Sequence, residues 1–127
     1  MIVADASVLT SSLVGGAAAR QVLDAEQVQV PAVADIEVAS ALRKRVRLGH
    51  ISAVEGWQLL EGYRWMAVTR HYVFSMFDRI WELRDNLSAY DAAYVALAEA
   101  IDCPLVTGDA RLSRAPGLRC AVTVIPG

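Results

Sequence analysis

The sequence predicts an α/β fold, a parallel sheet covered by helices on both faces, built as one domain from residues 1–127. Three observations carry that expectation. Short apolar runs alternate along the chain with longer segments of helical spacing. Acids stand where two of those runs end: Asp5 directly after residues 1–4, and Asp109 after Thr107-Gly108. The 127 residues, 55% of them hydrophobic, suit a single core. Right-handed crossovers then point every strand's carboxyl end the same way, and ligands of such sheets bind at that rim, where strand order reverses.

In chain order, residues 2–4 form a short buried strand, and 7–14 a helical turn entered through the loop that holds Asp5 and broken by Gly15-Gly16. Residues 17–25 have helical propensity throughout and turn Val22 and Leu23 inward; 28–30 make a second strand closed by Pro31. A long helix follows over 32–48, with Val38, Leu42 and Val46 spaced at four and Gly49 as its stop. Ser52 and Glu55 make a capping box for a helix running to about Met66 and carrying Trp57, Leu60 and Trp65. Residues 68–72 are extended, and 73–84 resume helical spacing with Phe74, Phe77, Ile80 and Trp81. Core packing is expected to account for most of the three tryptophans, although Trp and Tyr between arginines also suit a protein interface. Ser88 caps a helix over 89–100, a strand follows at 105–107, then a short helix over 110–118 broken by Pro116 and Gly117, and a last strand at 121–125.

Composition excludes several classes. No run approaches the roughly 18 apolar residues of a membrane span, and Asp5 comes too early for a secretory signal, so a cytoplasmic protein without membrane contact is expected. Cys103 and Cys120 lie far apart without histidine company, which suggests buried free thiols and neither zinc nor a disulfide. A net charge of -2 argues against broad, nonspecific nucleic-acid binding, yet eleven of the twelve basic residues are arginines, the residue suited to bidentate phosphate contacts. The apolar surplus points to an oligomer.

Four acids carry the chemistry. Asp5 reads as a ligand in the crevice or as the cap of the next helix, and Glu37 as a site acid or as a charge favoured by the helix macrodipole. Asp91 completes a Ser88-x-x-Asp91 capping pattern, and Asp109 by itself is a turn residue. Their joint placement decides. Two carboxylates about 4 Å apart repel by about 4 kcal/mol at an effective dielectric near 20, so four at one rim call for cations or protons. Mg²⁺ prefers hard oxygens, keeps several waters and shares its shell with substrate phosphates. One or two such ions suit phosphodiester hydrolysis. His50 and His71 stand isolated, and no nucleophile elbow or phosphate-binding glycine loop competes. The basic run Arg43-Lys44-Arg45-x-Arg47, downstream of Glu37, is either a solvated helix face or a substrate contact in which Lys44 or Arg45 grips phosphates.

The settings VADAS, DIEVASALR, LSAYDAAYVALAEA and LVTGDARL around Asp5, Glu37, Asp91 and Asp109 resemble the PIN-domain family, and more closely the VapC toxins of bacterial toxin-antitoxin pairs. The resemblance spans essentially the whole chain. It implies a PIN-like three-layer sandwich with a central parallel five-stranded sheet flanked by helices. It also implies a Mg²⁺- or Mn²⁺-dependent endoribonuclease that cuts tRNA or rRNA at specific sites and inhibits translation. Asp5, Glu37 and Asp91 are then the core metal-site acids, Asp109 a more variable fourth, and Ser7 and Thr107 supporting hydroxyls. The partners implied are an RNA substrate, a second copy of the chain and a VapB-type antitoxin, with higher assembly in the complex. The antitoxin's groove, formed by the helices after Glu37, would give Trp57, Tyr63 and Trp65 a use beyond the core. One departure stands out: many relatives carry further acids after the fourth position, where this chain has Ala110-Arg111-Leu112, so a second ion is expected to bind weakly or only with RNA.

Two other readings compete. An aspartate-nucleophile phosphatase would use Asp5, but that chemistry wants an acid two residues on, where Ser7 stands, and a lysine in the C-terminal half, which the chain lacks. A PIN-fold RNA- or partner-binding module without turnover shares every feature above.

Overall fold

The computed structural model describes residues 1–126. Its five strands are β1 (Ile2–Ala4), β2 (Val28–Pro31), β3 (Val68–His71), β4 (Leu105–Thr107) and β5 (Val122–Val124). All pair in parallel, in the order β3-β2-β1-β4-β5. The three central strands are buried along their length, as apolar runs without alternation require when both faces are covered. The outer strands β3 and β5 are partly exposed.

Helices α1 (Ala6–Leu13), α2 (Ala17–Ala25), α3 (Ala34–Arg47) and α4 (Ala53–Arg64) connect β1 to β2 and β2 to β3. Helices α5 (Phe77–Glu82) and α6 (Ala89–Ala100) lead back to β4. The first two crossovers step outward from β1 and the third returns past it, so right-handedness puts α1–α4 on one face and α5–α6 on the other. Contacts agree: α1 meets α2, α3 and α4, α3 meets α4, and α5 meets α6. The expected three-layer α/β sandwich is thus formed. Helix α6 lies along β1, β2 and β4, and residues Ala92, Ala93, Tyr94, Val95, Ala96, Leu97 and Ala98 are all buried; the alanines let its backbone approach the sheet closely.

Helix ends follow local chemistry. Asp5 caps α1, Ser88 caps α6, and Ser52 with Glu55 makes both halves of a capping box at α4. Helix α3 stops at Gly49 (φ 76°), where the Gly49 amide donates to the Val46 carbonyl and the His50 amide to that of Arg45, the paired bonds of a Schellman stop.

Four expectations are corrected. The tryptophans are not core residues: Trp57, Trp65 and Trp81 are 56%, 81% and 68% exposed. Over 73–84 the chain makes a 3-10 turn (Phe74–Met76) and then α5, and Met76, Ile80 and Leu83 face the core while Phe74, Phe77 and Trp81 face out. Over 110–118 only a 3-10 turn forms (Leu112–Arg114), because Ala115, ahead of Pro116, is extended (φ -65°, ψ 136°). Tyr63 is buried, its hydroxyl donating to Asp35 at 2.8 Å, and is therefore not a groove residue.

Among the described residues no helix is long and apolar enough to cross a membrane. Both cysteines are free, Cys103 buried and Cys120 partly so.

Outside the core, Arg79 joins the returning helices: it donates to both Glu99 oxygens (2.6 and 3.0 Å) and to the Gly117 carbonyl, while Glu99 also accepts the Arg119 amide at 2.8 Å. With both side chains largely covered, Glu99→Ala is expected to cost about 2 kcal/mol in urea unfolding, whereas Glu61→Ala, which removes an exposed pair with Arg64, costs far less.

Candidate active site at the carboxyl rim of the sheet

Strand order reverses beside β1, between its carboxyl end and that of β4. The register Val3↔Leu105 and Ala4↔Val106 brings the next residues, Asp5 and Thr107, side by side, and the Asp5 amide donates to the Val106 carbonyl at 3.1 Å. Asp5 is buried. Its Oδ1 accepts the Ser7 hydroxyl (2.5 Å) and the Val8 amide (3.2 Å), and its Oδ2 accepts the Thr107 hydroxyl (2.5 Å). The two hydroxyls pass the order on: Ser7 Oγ accepts the Gly108 amide (2.9 Å) and Thr107 Oγ1 the Asp109 amide (3.0 Å). A Cβ at Gly108 would sit 3.2 Å from Ser7 Oγ, so this turn is tight enough to favour glycine. Asp5 is therefore both helix cap and rim acid, and Ser7 and Thr107 orient it.

Glu37 reaches the rim from the first turn of α3, and Asp91 from the first turn of α6. Ser88 accepts the Asp91 amide at 3.1 Å and caps the helix, but the Asp91 carboxylate does not reach back to the Ser88 amide. Glu37 and Asp91 feel the charge of neighbouring acids. Burial, opposed by the Tyr94 hydroxyl and reinforced by the charges of Asp91 and Asp5, raises Glu37 above the ordinary glutamate range. Burial and the charges of Asp5 and Asp109 raise Asp91, against the Ser88 hydroxyl and Arg111. Asp109 is lowered, because Arg111 pairs with it.

One Glu37 oxygen and the Tyr94 hydroxyl are buried side by side, near enough for the hydroxyl to steady the carboxylate but not aligned as a well-formed hydrogen bond. A carboxylate oxygen left without a hydrogen bond beside two further acids has the hard-oxygen chemistry that a divalent cation prefers. Among the described residues no three His, Cys, Asp or Glu side chains are gathered closely enough to hold a metal ion together. An ion bound by only one or two of these carboxylates would have to keep much of its water, as Mg²⁺ does.

From Ser7, Glu37 and Gly108 a groove of about 1200 Å³ runs between α1 and α3. Lys44 and Arg45 line it, together with Arg43, Arg47 and His50. Lys44 lies seven residues beyond Glu37, about 10 Å along the helix axis, so the basic run stands further down the groove from the acids rather than beside them.

Comparison with known proteins now bears on this site. The PIN domain profile matches residues 2–118. This chain belongs to the PIN-domain family. Within it, the PIN domain is 48% identical to ribonuclease VapC9 of Mycobacterium tuberculosis over 99% of each chain, and 38% identical to ribonuclease VapC1 of the same organism over 97% of this chain and 96% of the relative. Its fold matches a toxin-antitoxin complex from Klebsiella pneumoniae with a TM-score of 0.75 over the whole of both chains at 19% identity.

Two members of the rim were not singled out from sequence. Tyr94 lies three residues after Asp91, one turn along the same helix, a spacing that marks it as a neighbour. Arg111 was visible only as a missing acid, not as the partner of Asp109.

Because Asp91 and Glu37 ionise less readily in the folded chain than in the unfolded one, the folded state holds more protons through the carboxylate range, and their contribution to stability falls as pH rises through it. In EDTA at pH 7.5, Asp91→Asn is accordingly expected to raise the melting temperature, by about 3 °C for a chain of this size. A lowered value would mean that no such repulsion is present.

Proposed function

We propose that this PIN domain is a metal-dependent, site-specific endoribonuclease acting as the toxin of a toxin-antitoxin pair, cutting tRNA or rRNA and so inhibiting translation. The observation that supports the reading is Glu37 at one end of a groove lined further on by Arg43, Lys44, Arg45 and Arg47, with Glu37 and Asp91 each raised by the charges of neighbouring rim acids. Full-length identity of 48% to a protein named as a VapC ribonuclease supports the reaction class.

Glu37, Asp91 and Asp5 would hold Mg²⁺ or Mn²⁺, with Asp109 available to a second ion. A divalent ion, when bound, supplies positive charge that makes water a better nucleophile and offsets charge building on the phosphate oxygens. The chain's own residues do the rest. Ser7 and Thr107 hold the Asp5 carboxylate in one orientation. Burial and the charges of Asp91 and Asp5 raise Glu37, which favours its holding a proton more than a free glutamate does. In hydrolysis the bond from water oxygen to phosphorus forms, the bond to the leaving ribose oxygen breaks, the water proton passes to a rim carboxylate not engaged by the ion, and the leaving oxygen is protonated from solvent. Lys44 and Arg45, with the neighbouring arginines, hold phosphates further along the groove.

The exposed tryptophans support the partners. Trp57 on α4 and Trp65 just past its end offer an antitoxin segment aromatic anchors, and Tyr72, Phe74, Phe77 and Trp81, exposed along the β3–α5 segment, suit a homodimer contact that higher assembly with antitoxin would retain. A phosphatase with Asp5 as nucleophile gains no support, since Ser7 stands where that chemistry wants a second acid and the C-terminal half has no lysine.

Purified chain freed of antitoxin, incubated with total RNA and Mg²⁺ or Mn²⁺, is expected to give discrete fragments that disappear in EDTA. Asp5→Asn retains an N-cap for α1 and should lower cleavage at least a hundredfold. Fragments that persist in EDTA, or an Asp5→Asn variant as active as wild type, would overturn the reading.

A further inference from the structure

Of the four rim acids, Asp109 alone carries a cation of its own. Arg111 donates Nε at 3.1 Å to its Oδ1 and Nη2 at 2.9 Å to its Oδ2, and the Arg111 amide adds a bond of 2.9 Å to Oδ1. Among the described residues Asp5, Glu37 and Asp91 form no ion pair. The influence of Arg111 extends past its partner, since it opposes the upward shift of Asp91, and Arg114 adds positive charge near Asp109.

The amide bond fixes the turn, whereas the guanidinium is free to leave. Its side chain is 84% exposed, and exposed ion pairs are weak and easily exchanged. A guanidinium fork that fits a carboxylate fits a phosphate equally well, so the same side chain has a second acceptor whenever RNA lies at the rim.

Charge decides between the two. Four ionised acids carry four negative charges. Arg111 and one divalent ion leave a single negative charge, whereas a second divalent ion beside Arg111 leaves a positive one, which one RNA phosphodiester cancels. With no phosphate present, the second ion meets both a charge excess and an acid whose two oxygens are already taken.

We propose that Arg111 is a built-in counter-cation of the acid rim: parked on Asp109 while the groove is empty, it transfers to an RNA phosphate as substrate enters, which frees Asp109 for a second divalent ion. Substrate and second ion then arrive together. The inference rests on the reading that these acids bind divalent metal, and it assigns Arg111 a contact with substrate that the motif of four acids does not contain.

The test is Mn²⁺ titration of the purified full chain without RNA, followed by the electron paramagnetic resonance of free Mn²⁺, with circular dichroism to verify that each variant is folded. Arg111→Gln is expected to tighten the weaker Mn²⁺ step at least fivefold, and the gain should vanish in Arg111→Gln combined with Asp109→Asn. In RNA cleavage the same Arg111→Gln change should raise KM about tenfold with a smaller effect on kcat, the signature of a lost binding contact. If Arg111→Gln lowers the melting temperature but leaves both Mn²⁺ binding and KM unmoved, the pair is only a structural tie and the inference fails. Failure of the nuclease reading is separate, because it shows as EDTA-resistant cleavage by wild type whatever the Mn²⁺ titrations give.

Discussion

The carboxylate of Asp5 is the point on which the rest of the rim depends. It caps α1 through the Val8 amide, receives one hydroxyl from α1 and another from β4, and through those hydroxyls holds the amides of Gly108 and Asp109. A single buried acid thus ties β1 to the start of the helix that follows it and to the turn after a strand 102 residues away. Charged acceptors make the stronger hydrogen bonds, and burial removes the competition of water. The same arrangement that closes the fold at the switch point also fixes where the fourth acid stands.

What is stable for Asp5 is not so for its neighbours. Glu37 and Asp91 are partly buried near other negative charge, and Glu37 keeps an orphaned oxygen. Such features lower stability, and they persist where a ligand is meant to complete the site. Helix α6, buried over seven consecutive residues, and the Arg79–Glu99 tie hold the framework that carries this strain. Arg111 compensates at the exposed edge, where water already weakens the repulsion.

Most of the architecture was legible because local and global signals agreed. The helices over 17–25 and 89–100 and the strand at 105–107 end where the sequence reading put them, since Gly16, Ser88 and Gly108 leave little choice. Asp5, Glu37, Asp91 and Asp109 were legible as acids on elements whose carboxyl ends or first turns share one rim. Less legible was which side of an amphipathic element faces water. Phe74, Phe77 and Trp81 repeat at helical spacing, but so do Met76, Ile80 and Leu83, and periodicity does not say which set the core takes. The helix expected over 110–118 fails because Pro116 makes Ala115 extended, leaving too few residues for more than a 3-10 turn. Arg111 escaped notice because its role depends on a side-chain fork back to Asp109, which has no periodic signature.

The most direct test of the shared acid site is the melting temperature of the purified chain, free of antitoxin, with and without millimolar Mg²⁺ as a function of pH. The account predicts a rise on adding Mg²⁺ at pH 7–8, where the acids are ionised, that shrinks towards zero as pH falls through the carboxylate range and protons replace the ion. A melting temperature indifferent to Mg²⁺ throughout, or a shift of the same size at pH 4 as at pH 8, would contradict it.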